Sequence, residues 1–445
     1  MSLHQRPYNP ARYLIGGFLA LILLGSLLLT LPAATRSEGI SYLDALFTAT
    51  SAVCLTGLVV VDTGTFFSPF GQVVIMGLIF IGTLGFMTMA TMVFIFLGRR
   101  ISLRDRLLVK EMLNQESLTG LIPLVKAIVL LVVLCELAGA ALLSIRFIPQ
   151  MGWEEGLFFA LFHAVSAFGN AGFDLFGNFN SLTAFPSDYL VNVVILVLFI
   201  LGGLGFMVIF DLVKCFHRRH RLSLHSRLVL VISLTLLLGG GAAILALEFA
   251  NPDTLGPLSP GGKIFAAFFT AATPRSGGFS MVRTAALGMP SLLIIMALMF
   301  IGGSPASGGG GIKTTTFGAV VIALLALVRG REQPVIFNRT IPFSQVFKAV
   351  AIIAAMVFLL FLTALVLTFF ENYTFLELVF EAVSAVCTVG LSLGITPELS
   401  EPSKAMLIFA MFAGRLGPLT IVLALSQRQP GQGEIHYPEE KLLIG

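Results

Sequence analysis

SAVCLTGL, Ser51 to Leu58, recurs almost unchanged near the other end of the chain as SAVCTVGL, Ser384 to Leu391. Both octets carry a glycine at the same place, Gly57 and Gly390. Aligning the chain on that glycine brings out two further copies: SAFGNAGF (166 to 173) with Gly172, and ATPRSGGF (272 to 279) with Gly278. The spacings are 115, 106 and 112 residues. A short apolar and aromatic run precedes each copy: LDALFTAT, EGLFFALFHAV, KIFAAFFTA and LELVFEAV. A long apolar stretch with a glycine break follows each: FIGTLGFM around Gly82, FILGGLGFM around Gly202, FIGGSPAS around Gly302 and FAGRLGPL around Gly414. Three landmarks in one order, four times over, define an internal repeat.

The solvent of these repeats is lipid. Hydrophobic residues make up 57% of the 445 and charged residues 11%, against roughly a quarter charged in an ordinary soluble domain. Runs approaching the roughly 20 residues of a membrane-crossing helix lie at Tyr13–Leu31, Val73–Leu97, Leu121–Leu143, Leu190–Val213, Leu228–Phe249, Met289–Gly303, Phe317–Val328, Val346–Phe370 and Met406–Leu425. Their continuity excludes a porin-type barrel, whose strands alternate polar and apolar residues. Pro32 and polar residues follow the first run in place of a cleavage site, so it reads as a retained helix. The cysteines Cys54, Cys135, Cys215 and Cys387 form no CxxC pair, which argues against a disulfide framework or a zinc site.

Net charge is +4, and the basic residues cluster: RRISLRDRLLVK (99–110), KCFHRRHRLSLHSR (214–227) and RGREQPVIFNR (329–339). Short basic clusters between apolar runs are topology signals and not a nucleic-acid surface, which places them and both termini in the cytoplasm. They divide the chain into repeats at 1–110, 111–222, 223–338 and 339–428, with a tail at 429–445. Each repeat starts and ends inside, and reads as a crossing helix, a short half-helix, a loop and a second crossing helix. The loops fall at 44–60, 154–175, 261–281 and 374–393. A run too short to span and too apolar for a solvated loop is a re-entrant segment, tolerated at membrane depth only inside protein or along a water-filled path. The expected fold is therefore an all-α integral membrane protein whose four repeats surround one pore.

The glycine-bearing loops suit cation chemistry. A cation entering a selective path must exchange hydration water for oxygens of comparable field, which rings of backbone carbonyls supply. Glycine gives the backbone conformations, including positive φ, that such a ring requires. Each half-helix turns its negative C-terminal dipole end toward the ion. Candidate filter residues are Cys54, Leu55, Thr56 and Gly57; Asn170, Ala171 and Gly172; Ser276, Gly277 and Gly278; and Thr388, Val389 and Gly390. Acids outnumber bases in the segments assigned outside, an arrangement that concentrates cations.

Charges in membrane helices are functional candidates. Arg415 follows the last glycine break, where the other repeats carry Thr83, Gly203 and Gly303, and a cation there would repel ions beneath the filter. Gly308 to Gly311 in GGSPASGGGGIK cannot form a helix interior, so an unwound intramembrane loop is expected at 302–316. Arg275 stands either to tune ion occupancy or to pair with a carboxylate behind the filter, the latter being favoured. His163 and Asn170 are expected to brace loop two, and Glu136 has no evident partner. Ordered around an axis, loops one and four are neighbours, so Cys54 approaches Cys387, both read as small residues packed behind the filter.

The chain resembles the Ktr/Trk/HKT superfamily of potassium transporters, most closely the Ktr-type membrane subunit of bacteria. The resemblance rests on TATSAVCLTGLVVVDT (48–63), HAVSAFGNAGFDLF (163–176), ATPRSGGF (272–279), GGSPASGGGGIKTTT (302–316), EAVSAVCTVGL (381–391) and GRLGPLT (414–420), and covers nearly the whole chain. It implies a pseudo-fourfold pore for K+ in a bacterial plasma membrane, a homodimer, and a cytosolic ring of nucleotide-binding (RCK-type) subunits that regulates it, with Na+ as an activator. It also implies that Arg415 plugs the pore, that the 302–316 loop is the mobile gate, and that Lys313 senses the partner. Serine for the first filter glycine accompanies sodium permeation in the superfamily; Gly57 favours potassium. One glycine per loop implies looser selectivity than a filter with two. No P-loop or GxGxxG opens a nucleotide site in this chain, and no HExxH pair or Ser/His/Asp set indicates an enzyme or a cofactor. Within transport, the alternative is an alternating-access cation symporter.

Overall fold

A computed structural model describes residues 10–36, 39–85, 88, 91, 120–186, 188–218 and 221–417. The basic cluster at 99–110 and the tail at 429–445 lie outside them. Four long apolar helices lead the four repeats: α1 (Pro10–Leu29), α5 (Leu121–Met151), α9 (Leu224–Glu248) and α13 (Phe343–Phe370). With 20, 31, 25 and 28 residues, each is long enough to cross a bilayer. Their outward faces expose leucine and phenylalanine, among them Leu130, Leu134, Phe347, Phe358 and Phe361, as lipid-facing surfaces do.

Behind each long helix comes a half-helix: α2 (Tyr42–Cys54), α6 (Trp153–Phe168), α10 (Pro260–Ala272) and α14 (Phe375–Val386). Polar caps start three of them, with Ser41, Ser259 and the Thr374–Glu377 capping box accepting the first free amides. Burial then rises toward the C-terminus, and the last residues of α2, α6 and α14 are buried without a break from Phe47, Phe162 and Phe380 onward. A segment that enters from the polar side and ends in the interior is re-entrant.

After the loops and a one-turn helix α3 (Thr63–Phe66) in repeat one, the second helices are α4 (Pro69–Leu84), α7 (Tyr189–Leu204), α11 (Met289–Phe300) with α12 (Thr314–Val328), and α15 (Glu401–Leu416). The glycine break requires correction. Gly82, Gly202 and Gly414 lie inside α4, α7 and α15, and the helices end three residues later at Gly85, Gly205 and Gly417, with φ of 75°, 88° and 82°. The earlier glycines serve close approach: a Cβ on Gly82, Gly202 or Gly414 would strike the carbonyl of Val53, Phe168 or Val386 at the end of the repeat's own half-helix. After Gly205 the chain bends by 100° into α8 (Phe206–Arg218). In repeat three the helix stops at Phe300, and residues 301–313 carry no helix, as the glycine run predicts. A two-stranded hairpin, Val335–Ile336 against Arg339–Thr340, joins α12 to α13.

The C-terminal end of each long helix, or the chain just beyond it, is tied to the start of the second helix of its repeat, by an arginine in repeats one and two and by a glutamate in repeats three and four. Arg36 donates to Phe67 O at 3.1 Å, Arg146 pairs with Asp188, and Glu248 accepts from Gly288 N at 2.9 Å and from Ser291. Glu371 accepts from Ser400 N at 2.8 Å and Ser400 Oγ at 2.7 Å. Repeat four meets repeat one through Lys404 and Asp44, 2.8 Å apart. Asp44, Asp188 and Glu371, three of the acids that the sequence assigns outside, are thus spent on these ties.

Candidate functional site: four loops around one axis

The half-helices end in one backbone motif. Leu55, Asn170, Ser276 and Thr388, each two residues before an aligned glycine, are left-handed at φ of 57°, 58°, 66° and 48°. The glycines follow at 86°, 70°, 74° and 90° for Gly57, Gly172, Gly278 and Gly390. In three repeats the turn is a Schellman motif: Thr56 N, Ala171 N and Val389 N donate to Ser51 O, Ser166 O and Ser384 O at 2.8, 2.9 and 2.9 Å. Repeat three closes it one residue tighter, Gly277 N to Thr273 O at 2.7 Å. Leucine and β-branched threonine resist this conformation, at about 1–3 kcal/mol each, so the surroundings must impose it. Hydroxyls do part of this: Ser51 Oγ and Ser384 Oγ accept from Gly57 N and Gly390 N at 3.0 and 3.1 Å, while Ser166 and Thr273 donate to Phe173 O and Phe279 O at 2.6 Å.

The four loops close into a ring in chain order. A Cβ placed on Gly57 would lie 2.5 Å from Ala171 O, one on Gly172 3.5 Å from Gly277 O, and one on Gly278 3.1 Å from Val389 O. One on Gly390 would collide with Thr56 O, which completes the circle. The carbonyls of Thr56, Ala171, Gly277 and Val389 thus stand between adjacent glycines; the carbonyl itself leaves no room for a side chain at Gly57 and Gly390, and the Cα atoms of Gly172 and Gly278 exclude one from each other. Cys54 and Cys387 are buried, free thiols.

Outside the ring lies a cavity of about 560 Å³ whose floor includes all four glycines. Its charged lining comprises Asp62, Asp174, Glu398 and Arg283, a smaller set than the outer acids of the sequence. Burial pushes the Asp174 carboxyl up to about 7; the Phe176 amide acts against this and the charge of Asp62 adds to it. The wall is braced at matching places. His163 and Glu381, each nine residues before its glycine, accept from Leu175 N at 3.2 Å and Leu393 N at 3.1 Å. His163 Nδ1 faces Phe159 O at 2.7 Å, so that nitrogen carries the proton and Nε2 accepts. Asn170 donates to Phe199 O at 3.1 Å, bracing loop two against α7.

The opposite side of the ring is covered by the glycine run. Gly308 packs under Gly169 and Asn170, Gly309 under Ser276, and Gly310 under Cys387 and Thr388. Gly310 N donates to Ser276 Oγ at 3.0 Å, and Ser304 N and Gly308 N donate to Gly203 O and Gly202 O at 3.0 and 3.3 Å. The segment is therefore docked on repeat two as well as beneath the loops. Arg415 reaches from α15 to Gly308 O and, at 3.0 Å, to Gly82 O, and Lys313 donates to Gly309 O. All four repeats contribute to the cover.

Two expectations fare differently. The favoured carboxylate partner of Arg275 is absent among the described residues: its guanidinium meets Ser233 Oγ at 3.0 Å and Ser233 O at 3.5 Å. Glu136 is buried in α5 with Oε1 lacking a hydrogen bond, as its lone position in the sequence suggested.

Re-entrant half-helices, a closed ring of loops and a funnel above it define a four-repeat membrane protein of the pore-loop kind. The sequence profile of the family described as "TrkH: Cation transport protein" matches residues 14–435. The chain is 44% identical over 439 residues to "Ktr system potassium uptake protein B" of Bacillus subtilis, covering 98% of this chain and 97% of that one. It is 38% identical to "Potassium/sodium uptake protein NtpJ" of Enterococcus hirae, covering 99% and 98%. The crystal structure of the potassium transporter TrkH from Vibrio parahaemolyticus superposes with a TM-score of 0.75 at 19% identity, over 96% of this chain and 87% of that one. The chain belongs to the TrkH family of cation transport proteins, whose work is transport and not enzymatic catalysis.

Proposed function

We propose that the chain takes up potassium across the bacterial plasma membrane by channel-like conduction through the ring of loops. The observation that carries this reading is the closed sequence of contacts in which each filter glycine faces the carbonyl of the next loop. The carbonyls of Thr56, Ala171, Gly277 and Val389, with those of Leu55, Asn170, Ser276, Thr388 and Cys54, replace the hydration shell of K+. Strained backbone fixed by hydroxyls and half-helix ends holds these dipoles in place before the ion arrives, and the C-terminal ends of the half-helices add negative potential. Asp62, Asp174 and Glu398 raise the local cation concentration outside.

The covering loop with Gly308, Gly309, Gly310 and Gly311 is the gate, and the structure is a closed state. Arg415 holds the loop and places a positive charge below the filter; Lys313, at the start of α12, links loop movement to the cytosolic side. The chain works as a homodimer with a cytosolic ring of nucleotide-binding subunits that moves this gate. Support comes from the superfamily resemblance and from a close relative named as part of a Ktr system. Sodium acts as a stimulant, a reading favoured by the relative named for both ions. Basic clusters at 214–227 and 329–339 support cytoplasmic termini.

The test is growth of a bacterium lacking its potassium-uptake systems, at low potassium, expressing the chain with its cytosolic partner. Growth restored by the parent and reduced with Gly57→Ser is expected. No restoration by the parent contradicts the function. Flux in vesicles that requires sodium in fixed stoichiometry favours the alternating-access symporter.

A further inference from the structure

Arg275 opens a question that conduction does not answer. Its backbone belongs to loop three, yet its side chain points away from the ring into a crevice of about 200 Å³ between α7 and α9. Ile200 and Leu204 form one wall, Leu230, Leu234 and Leu237 the other, and Ala272 lies beside the arginine at its base. Leu234 and its neighbour Val231 face outward, so the crevice opens on the lipid side of the molecule and not on the pore.

The guanidinium at the base has five N–H donors. One makes a good bond, to Ser233 Oγ; a second reaches Ser233 O only at 3.5 Å; and the buried Nε has no partner. Neither ion pair among the described residues involves Arg275. The end of α10 offers a fraction of a negative charge, which does not neutralise a full cation in a low-dielectric site. A membrane arginine without a counterion, at the end of an apolar slot, lacks an anion with a hydrocarbon tail.

Depth decides which anion. Ser233 is nine residues into α9 from Leu224, about 13 Å along the helix axis. A phospholipid headgroup stays at the interface, whereas the small carboxylate of a single-chain fatty acid can be carried this deep by an apolar crevice. We propose that the crevice is a binding site for a fatty-acid-class carboxylate. The carboxylate takes the unpartnered Nε–H of Arg275 together with a remaining N–H of the adjacent Nη, in a two-pronged hydrogen bond on the side of the guanidinium away from Ser233, and the alkyl chain lies between α7 and α9. Because Arg275 immediately precedes Ser276, which holds Gly310, the ligand sits one residue from the loop that covers the ring.

The probe is an oleate carrying a diazirine on its chain, applied to the full-length chain in nanodiscs of zwitterionic phosphatidylcholine, with crosslinks mapped by peptide mass spectrometry. Labelling of 199–204 and 230–237, displaced by free oleate and displaced roughly tenfold or more less well by methyl oleate, is expected for loss of a charged hydrogen bond. Arg275→Gln should lose the label, as should Leu230→Trp, which fills the slot and leaves the charge. Equal competition by the methyl ester, or unchanged labelling in both variants, overturns the site. Displacement by phosphatidylglycerol and not by oleate overturns the assignment to a fatty acid. The ester comparison uses the parent protein, so poor folding of a variant does not blunt the test.

Discussion

Replacing Arg415 by alanine removes the two hydrogen bonds through which α15 ties the covering loop to α4, those to Gly308 O and Gly82 O. Buried hydrogen bonds made by a charged donor contribute about 1.5–3 kcal/mol each. Taking the lower value for both, the closed state loses about 3 kcal/mol, equivalent to a shift of roughly 150-fold in the closed-to-open ratio. The Gly310–Ser276 bond and the bonds from Ser304 N and Gly308 N to Gly203 O and Gly202 O remain, at about 1 kcal/mol each, so the loop keeps a preferred seat but loses its tie to α15 and α4. The same change removes a positive charge that, about 4 Å from an ion and at an effective dielectric of 20, would oppose it by about 4 kcal/mol. Both effects have one sign. Rubidium flux from proteoliposomes holding the chain without any cytosolic partner should rise by two orders of magnitude in Arg415→Ala. Arg415→Lys separates the two causes, since an ammonium keeps the charge and cannot bridge both carbonyls. Tight closure in the lysine variant assigns the effect to charge, and leak equal to alanine assigns it to the tie. Flux within threefold of the parent in Arg415→Ala would show that Arg415 does not hold the pore closed.

Three further outcomes follow from the same geometry. Gly57→Ser sets a Cβ 2.5 Å from Ala171 O on a backbone at φ 86°, a conformation costing an L-residue about 1–2 kcal/mol, so potassium preference over sodium should drop roughly tenfold in competitive uptake. Gly310→Ala drives a methyl into Thr388 Oγ1 and Cys387 O, unseating the loop; the chain alone should leak rubidium, while a methyl at Gly261, which has open space beside it, should not. Asp174, with its carboxyl raised to about 7, carries charge in the funnel only above that pH. Its folded value exceeds the unfolded one, near 4, so its contribution to stability is present below pH 4 and is lost as pH rises to about 7. Half-saturating potassium should accordingly fall between pH 6 and 8, and Asp174→Asn should flatten that dependence.

The aligned glycines made the ring legible before any coordinates, because a residue without a Cβ at four matching places has few physical explanations. The ring's immediate neighbours were less so. Leu55, Asn170, Ser276 and Thr388 share no side-chain property, and their common left-handed backbone is imposed by Schellman bonds and hydroxyls that no residue type announces. The two glycines of FIGTLGFM illustrate a second limit: Gly82 and Gly85 look alike in sequence, yet one permits contact and the other ends the helix. Outer charges misled for a similar reason. A carboxylate that caps a neighbouring helix, as Glu371 does, and one that lines a funnel, as Asp174 does, differ only in where the chain brings them. The docking of the 301–313 segment on Gly202 and Gly203 is a tertiary contact between repeats, visible only once α7 and α11 are placed.

The central claim is that one ion is held between four loops by backbone oxygen. A structure of the protein in rubidium or thallium, with anomalous scattering recorded, tests it most directly. A peak is expected on the axis, equidistant from the carbonyls of Thr56, Ala171, Gly277 and Val389 and weakened in Gly57→Ser. Anomalous density confined to the outer cavity beside Asp62 and Asp174, with none at the ring, would contradict it.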